Sequence, residues 1–313
     1  MVNLQMKKIM KSMKTILACA CAALAVSCAE SNENVKPAVE TRTVTLKATS
    51  ATIESQDKTR TGLQFNRQDV TWLKGDLIQL WYRTKDGAYA KAGELSALAQ
   101  GSTTSFTGEC TFTDEAAEPH YIAISHYCAE SPEEFKSVRY ENGKFVFPNP
   151  AGYLLKPKFT TPADGYIGFA APNPSIAQGT DLNSMHFKNI FGVMQMRVAL
   201  PDSRWPYKIY FKPTGMAQGT VFTGEYHYDP ASGEGELKRN PMEDTNLTIE
   251  YPGYVASMND YYIPVAPGEY NYFTLEISDN STTYYSKQAT KPLKIKSGVI
   301  TNLGYFTDYG SEE

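Results

Sequence analysis

The chain reads as all-β, with two β-sandwich domains in tandem. Three observations predict this. Short runs rich in β-branched and aromatic residues recur along the chain, which carries 21 Tyr, and such residues favour a pleated, half-buried surface. Clusters of Gly, Pro, Asn and Asp separate the runs, as turns do in a sandwich. Long amphipathic helical runs are missing, which argues against an α/β enzyme. At 313 residues there is room for two ordinary domains, and no period of 20–50 residues points to a solenoid or propeller.

Residues 1–28 read as a signal peptide. Lys7, Lys8, Lys11 and Lys14 form the positive region, and Thr15 to Val26 is an apolar stretch of 12 residues, too short to span a bilayer as a helix. It ends in Ala25-Val26-Ser27-Cys28, followed at once by a polar, acidic run. A Cys after small residues at this place resembles the lipobox of bacterial lipoproteins, and that resemblance implies Cys28 as the lipidated N-terminus. Acyl chains contribute about 0.8 kcal/mol per buried CH₂, so several of them, palmitate included, would hold the protein on outer-membrane lipid. An ordinary secretory leader is the plainer alternative, and Ile16-Leu17-Ala18-Cys19 is a weaker lipobox. Without the four leader lysines, 26 basic residues stand against 34 acidic ones, no footprint for nucleic acid.

Residues 29–40, with Pro37, form a flexible tether. Residues 41–184 are assigned to the N-terminal sandwich. They open with Thr41 to Ile53, where apolar Val44, Leu46 and Ala48 alternate with Thr and Lys, the pattern of a half-buried strand. Glu54 to Arg60 is polar and charged, a solvated loop whose basic residues a trypsin-like protease would accept. Around it the chain is organised by Thr59 to Trp81, in which apolar runs flank a turn at Lys74-Gly75-Asp76. Strands are expected at Thr104–Phe112, His120–Tyr127, Lys144–Phe147 and Tyr166–Ala170.

Met185 to Leu200 is the longest apolar run, and residues 185–313 are assigned to the C-terminal sandwich. Phe187, Ile190 and Phe191 fall at helical spacing, suggesting one helical turn, while Val193 to Val198 reads as a strand. Further strands are expected at Lys208–Lys212, Thr220–Tyr228, Asn246–Tyr251, Tyr261–Val265, Tyr270–Ile277, Thr283–Gln288 and Leu293–Phe306.

The Thr59-Arg60-Thr61 step ahead of Val70-Thr71-Trp72-Leu73-Lys74-Gly75-Asp76-Leu77-Ile78 resembles the fimbrillin family, the type V pilins of Bacteroidales-like bacteria. Phe187 to Val193 is similar to the start of that family's second domain, and Leu293 to Gly304 to its C-terminal strand pair. The resemblance implies two sandwiches of transthyretin-like topology and life as a fimbrial, adhesive surface subunit in the outer membrane. It further implies an arginine-specific cut between Arg60 and Thr61, with Arg42 as second choice. The first strand, carrying Val44, Leu46 and Ala48, would then leave a groove that a strand from another fimbrial subunit fills by β-augmentation. Leu293 to Tyr309 is the natural donor; stalk, tip and anchor roles stay open.

Enzyme chemistry finds no support. GxSxG, HExxH and P-loop motifs are missing, and no cofactor is implied. Cys110 and Cys128 are the one pair available for a disulfide in the exported chain, with buried thiols as the alternative. His120, His126, Cys110 and Cys128 lack the paired spacing of a metal site. Tyr261-Tyr262, Tyr270/Tyr272/Phe273 and Tyr284-Tyr285 could stack on sugars of a host or bacterial surface ligand, which makes a glycan-binding lipoprotein that does not polymerise the runner-up. Core positions are the expected reading for these aromatics.

Overall fold

The computed structural model describes residues 39–51, 54–55, 72, 74–125, 138–149, 159–160, 168–169, 174–199, 208–213, 222, 224–238, 246–250, 258–278 and 283–307. Regular structure there is all strand: β1 Val39–Thr49, β2 Glu54–Ser55, β3 Leu77–Arg83, β4 Tyr89–Ala97, β5 Thr103–Thr113, β6 Tyr121–Ser125, β7 Arg139–Glu141 and β8 Lys144–Asn149. There follow β9 Phe159–Thr160, β10 Gly168–Phe169, β11 Ser175–Gly179, β12 Met185–His186, β13 Lys188–Asn189, β14 Gly192–Ala199, β15 Lys208–Pro213 and β16 Gly224–Asp229. The last are β17 Glu234–Lys238, β18 Leu247–Glu250, β19 Met258–Val265, β20 Gly268–Tyr270, β21 Phe273–Ser278, β22 Thr283–Gln288, β23 Leu293–Ile295 and β24 Val299–Thr307.

An eight-stranded sheet in the order β12-β1-β5-β4-β3-β6-β11-β13 organises the first half. Its two end strands are consecutive in sequence, separated only by Phe187. One buried cluster draws on strands from across this sheet: Val44, Leu46 and Ala48 of β1 with Phe106, Cys110 and Phe112 of β5, Leu80 and Tyr82 of β3, Ala123 of β6 and Ala177 of β11. The sheet is therefore curled around its own core, with Phe187 sealed into that core. Gly108 marks the tight point between β4 and β5, since a Cβ there would stand 2.3 Å from the Glu94 carbonyl oxygen.

The turn at Lys74-Gly75-Asp76 is present, with Gly75 at φ 90° and its N–H donating to the Ala97 carbonyl at 2.9 Å. Trp72 bridges to Gly101, and its ring meets Phe106 and Phe187 edge-on, each at 5.1 Å between centroids. From Ile78 to Tyr82 strand β3 is buried at every residue. Its neighbour β6 is equally apolar because these strands have cores on both faces. On the second face Trp81, Ile122 and Ile124 pack with Phe145, Phe147, Tyr226 and Tyr228. Strands buried on both faces read as continuous apolar runs rather than alternating ones.

The segment from Met185 is not a helical turn. It forms β12, β13 and β14, and its spacing reflects a change of face: Phe187 enters the first core while Ile190 and Phe191 enter the second. A third core gathers Met194, Met196, Ile209, Phe211, Phe222, Ile263, Leu275, Ile277 and Phe306. Around it stand the sheets β19-β14-β24-β2 and β18-β15-β21-β22.

Two further pairings join distant parts of the chain. Strand β8 pairs with β16, setting Phe147 opposite Tyr226. Strand β2 pairs in parallel with β24, Glu54 opposite Val299 and Ser55 opposite Ile300. Glu54-Ser55, expected as part of a loop, is thus a short strand. Expected strand Tyr270–Ile277 is broken into β20 and β21 at Tyr272, whose φ is 55°. Residues Val39–Glu313 make one compact unit.

Candidate functional site

The sequence singles out the first strand and its seat, and the geometry of that seat follows from simple alternation. Antiparallel pairing of β1 with β5 runs over all eleven residues, from Val39 opposite Thr113 to Thr49 opposite Thr103. Val44, Leu46 and Ala48 project into the first core and are 5%, 0% and 0% exposed. The intervening Thr43, Thr45 and Lys47 face outward. The strand begins at Val39, two residues earlier than the alternation alone indicates.

Among the described residues, the far edge of β1 is nearly bare. Strand β12 pairs with it only at Ala48 and Thr49, supplemented by the Lys47 N–H donating to the Leu182 carbonyl at 2.9 Å. Among the described residues, nothing pairs with that edge from Val39 to Thr45. One long ladder and one row of apolar side chains are the strand's main hold.

Arg42 belongs to the same inward-facing row, which the apolar alternation did not reveal because only Val, Leu and Ala were counted. Its guanidinium lies 3.9 Å from the centroid of the Phe112 ring. Nη2 donates to both Glu115 oxygens, at 3.0 and 3.4 Å, and Nη1 pairs with Glu40 at 3.0 Å. The Tyr121 hydroxyl donates to Glu115 Oε1 at 2.8 Å. Burial works against the Arg42 charge, but the two carboxylates outweigh it and raise its pKa. For Tyr121, burial first and then the bond to Glu115 push the phenol up to about 12.

Cys110, opposite Arg42 in the ladder, is a buried free cysteine, and burial raises its pKa. Its suggested partner Cys128 lies outside the described residues, as do Cys28, Arg60, Thr61 and His126. His120 bonds the Tyr89 hydroxyl through Nδ1 at 2.8 Å, and burial lowers its pKa, with Arg83 adding to the effect. Among the described residues no three His, Cys, Asp or Glu side chains gather as a metal site would require.

The aromatic residues considered for sugar stacking divide clearly. Tyr270, Phe273 and Tyr285 are buried in the third core, with Tyr270 stacked on Phe222 at 4.4 Å. Tyr272 is 59% exposed. The side chains of Tyr261, Tyr262 and Tyr284 lie outside the described residues.

No protein-family model matches the chain, and no curated protein matches it. Among solved structures it is similar to a candidate cell adhesion protein from Bacteroides ovatus ATCC 8483, with 13% identity, a TM-score of 0.47, and coverage of 87% of this chain and 95% of that one. It is similar to a fimbrial protein from the same strain, with 15% identity, a TM-score of 0.34, and coverage of 88% of this chain and 50% of that one. A third is the tip fimbrial protein Mfa3 from Porphyromonas gingivalis with C-terminal truncation, at 7% identity and a TM-score of 0.33, covering 80% of this chain and 82% of that one. The neighbours of this all-β chain are thus cell adhesion and fimbrial proteins.

Proposed function

We propose that the chain is a fimbrillin-like surface subunit that assembles by exchanging its first strand, a structural and adhesive role without enzymatic chemistry. One observation carries the reading. An eleven-residue strand next to the two-residue end strand of its sheet fills a core with alternate side chains, while most of its outer edge has no partner among the described residues. Losing such a strand opens both a β-edge and a row of apolar pockets, the two things strand addition needs.

In this reading the leader is cleaved ahead of Cys28 on export, Cys28 is lipidated as the new N-terminus, and residues 29–40 tether the chain to the outer membrane. Cleavage between Arg60 and Thr61 then releases β1 with Val44, Leu46 and Ala48. A strand from a neighbouring subunit replaces it. Residues 41–184 and 185–313 would form the two sandwiches, in the order the resemblance implies. A pairing of Cys110 with Cys128 would have to engage the buried Cys110 thiol.

Limited trypsin digestion of the folded chain lacking residues 1–28, with N-terminal sequencing and size-exclusion chromatography, tests the proposal. The expected result is a first cut after Arg60, loss of the 29–60 peptide and growth into oligomers. A cut elsewhere, or a trimmed chain that stays monomeric, removes strand exchange and leaves a surface lipoprotein that binds its ligand alone.

A further inference from the structure

We propose that the seat of β1 selects its occupant by charge as well as by apolar pattern. The occupant is a strand of another subunit carrying Arg or Lys at the position of Arg42. Two apolar residues and then a small one follow it at alternate positions, as Val44, Leu46 and Ala48 do here. The inference rests on the strand-exchange reading and names the chemistry of the partner.

The argument starts from what stays behind when β1 departs. Glu40 and Arg42 leave together, because both belong to the strand. Glu115 remains beside β5, keeping the Tyr121 hydroxyl and losing its cation; in the filled seat its side chain is only 19% exposed. An occupant that covers this carboxylate again without supplying a cation leaves it half-buried and unpaired, which is costly. Beside it Phe112, 1% exposed in the filled seat and packed against Tyr82 at 5.0 Å, loses the guanidinium lying over its face. Carboxylate and ring face together make a pocket for a flat cation, since a guanidinium can stack on one and donate to the other.

Register makes the pocket selective. In an antiparallel ladder a one-residue slip sends every side chain to the wrong face. A replacement strand must therefore place its cation opposite Cys110 while its apolar residues reach the depths that Val44, Leu46 and Ala48 fill. A wholly apolar strand would leave Glu115 unpaired, and an acidic residue at that position would be repelled.

The test uses the chain from residue 29 with a site-specific protease sequence inserted after Arg60, folded intact and then cut. Labelled peptides of the Val39–Thr49 sequence are offered in excess to displace the nicked strand. They carry the native Arg42, Arg42→Lys or Arg42→Met, and affinity is read by fluorescence anisotropy. The native peptide should bind at least about tenfold tighter than the Met peptide, the scale of one well-placed cation contact, with Lys between them. In a Glu115→Gln chain, which retains an acceptor for Tyr121, the preference should shrink to less than about threefold. Equal binding of the Arg and Met peptides, or a preference that survives Glu115→Gln, overturns the charge selection while leaving strand exchange standing. Failure of every peptide, the native one included, overturns strand exchange and this inference with it.

Discussion

Leu46 has no exposed surface and sits mid-strand, where neither end of β1 can adjust to fill a gap. Leu46→Ala should therefore lower unfolding free energy by about 2–5 kcal/mol, the range for a cavity in a packed core, measured by urea denaturation of the uncut chain. Gly108 is constrained from the opposite direction. The 2.3 Å approach to the Glu94 carbonyl is to backbone, which cannot rotate away. Gly108→Ala should cost about 1–3 kcal/mol or more by overpacking, seen as a lowered denaturation midpoint. At this scale the sequence was partly legible. Val44, Leu46 and Ala48 declare themselves by alternation. Arg42 shares their face, yet a charged residue on an inward row is invisible until Phe112 and Glu115 are known to lie beneath it. Gly108 looked like an ordinary residue between Thr107 and Glu109, because the close approach is made by a different strand.

Strand β1 makes a sharper prediction as an element. The Lys47 N–H points away from β5, toward Leu182, so by alternation the amides of Thr41, Thr43 and Thr45 also point to the outer edge, where no described residue pairs with them, while those of Arg42, Val44 and Leu46 face β5. Hydrogen exchange read by NMR should find the first set fast and the second protected. Uniform protection across 41–46 would show a partner on the outer edge. Most strands were visible as runs of β-formers between turn residues. Strand β4 was not, since Tyr89-Ala90-Lys91-Ala92-Gly93-Glu94-Leu95-Ser96-Ala97 is rich in Ala, Gly, Lys and Glu, all poor strand formers. It is a strand because β3 and β5 flank it, a case of neighbours overriding propensity. The helical spacing at Phe187, Ile190 and Phe191 misleads for a related reason: the chain changes faces within five residues.

For the whole molecule, buried tyrosines set an alkaline limit. Burial leads in raising both Tyr121 and Tyr226 to about 12, Glu115 adding to the first and Tyr228 to the second, and Tyr270 is driven higher still by burial. A raised phenol favours the neutral folded form, so this stability is complete below the unfolded value near about 10 and is lost as pH rises through the folded values. Urea midpoints should fall between about pH 10 and 12, in step with tyrosinate absorbance at long ultraviolet wavelengths. The all-β class was readable from composition and turn spacing. The joining of β8 to β16 and of β2 to β24 was not, because nothing local in either member of a pair names a partner well over fifty residues away.

That last pairing has a consequence for assembly. Glu54-Ser55 lies along β24, in the same stretch that carries β1 and ends at Arg60. If everything up to Arg60 departs, the edge of β24 is uncovered at Val299 and Ile300 in the same event as the seat of β1. A single peptide-bond cleavage would then free the seat of β1 and the first two residues of the C-terminal strand at once. One piece of chain would thus guard two edges until it is cut.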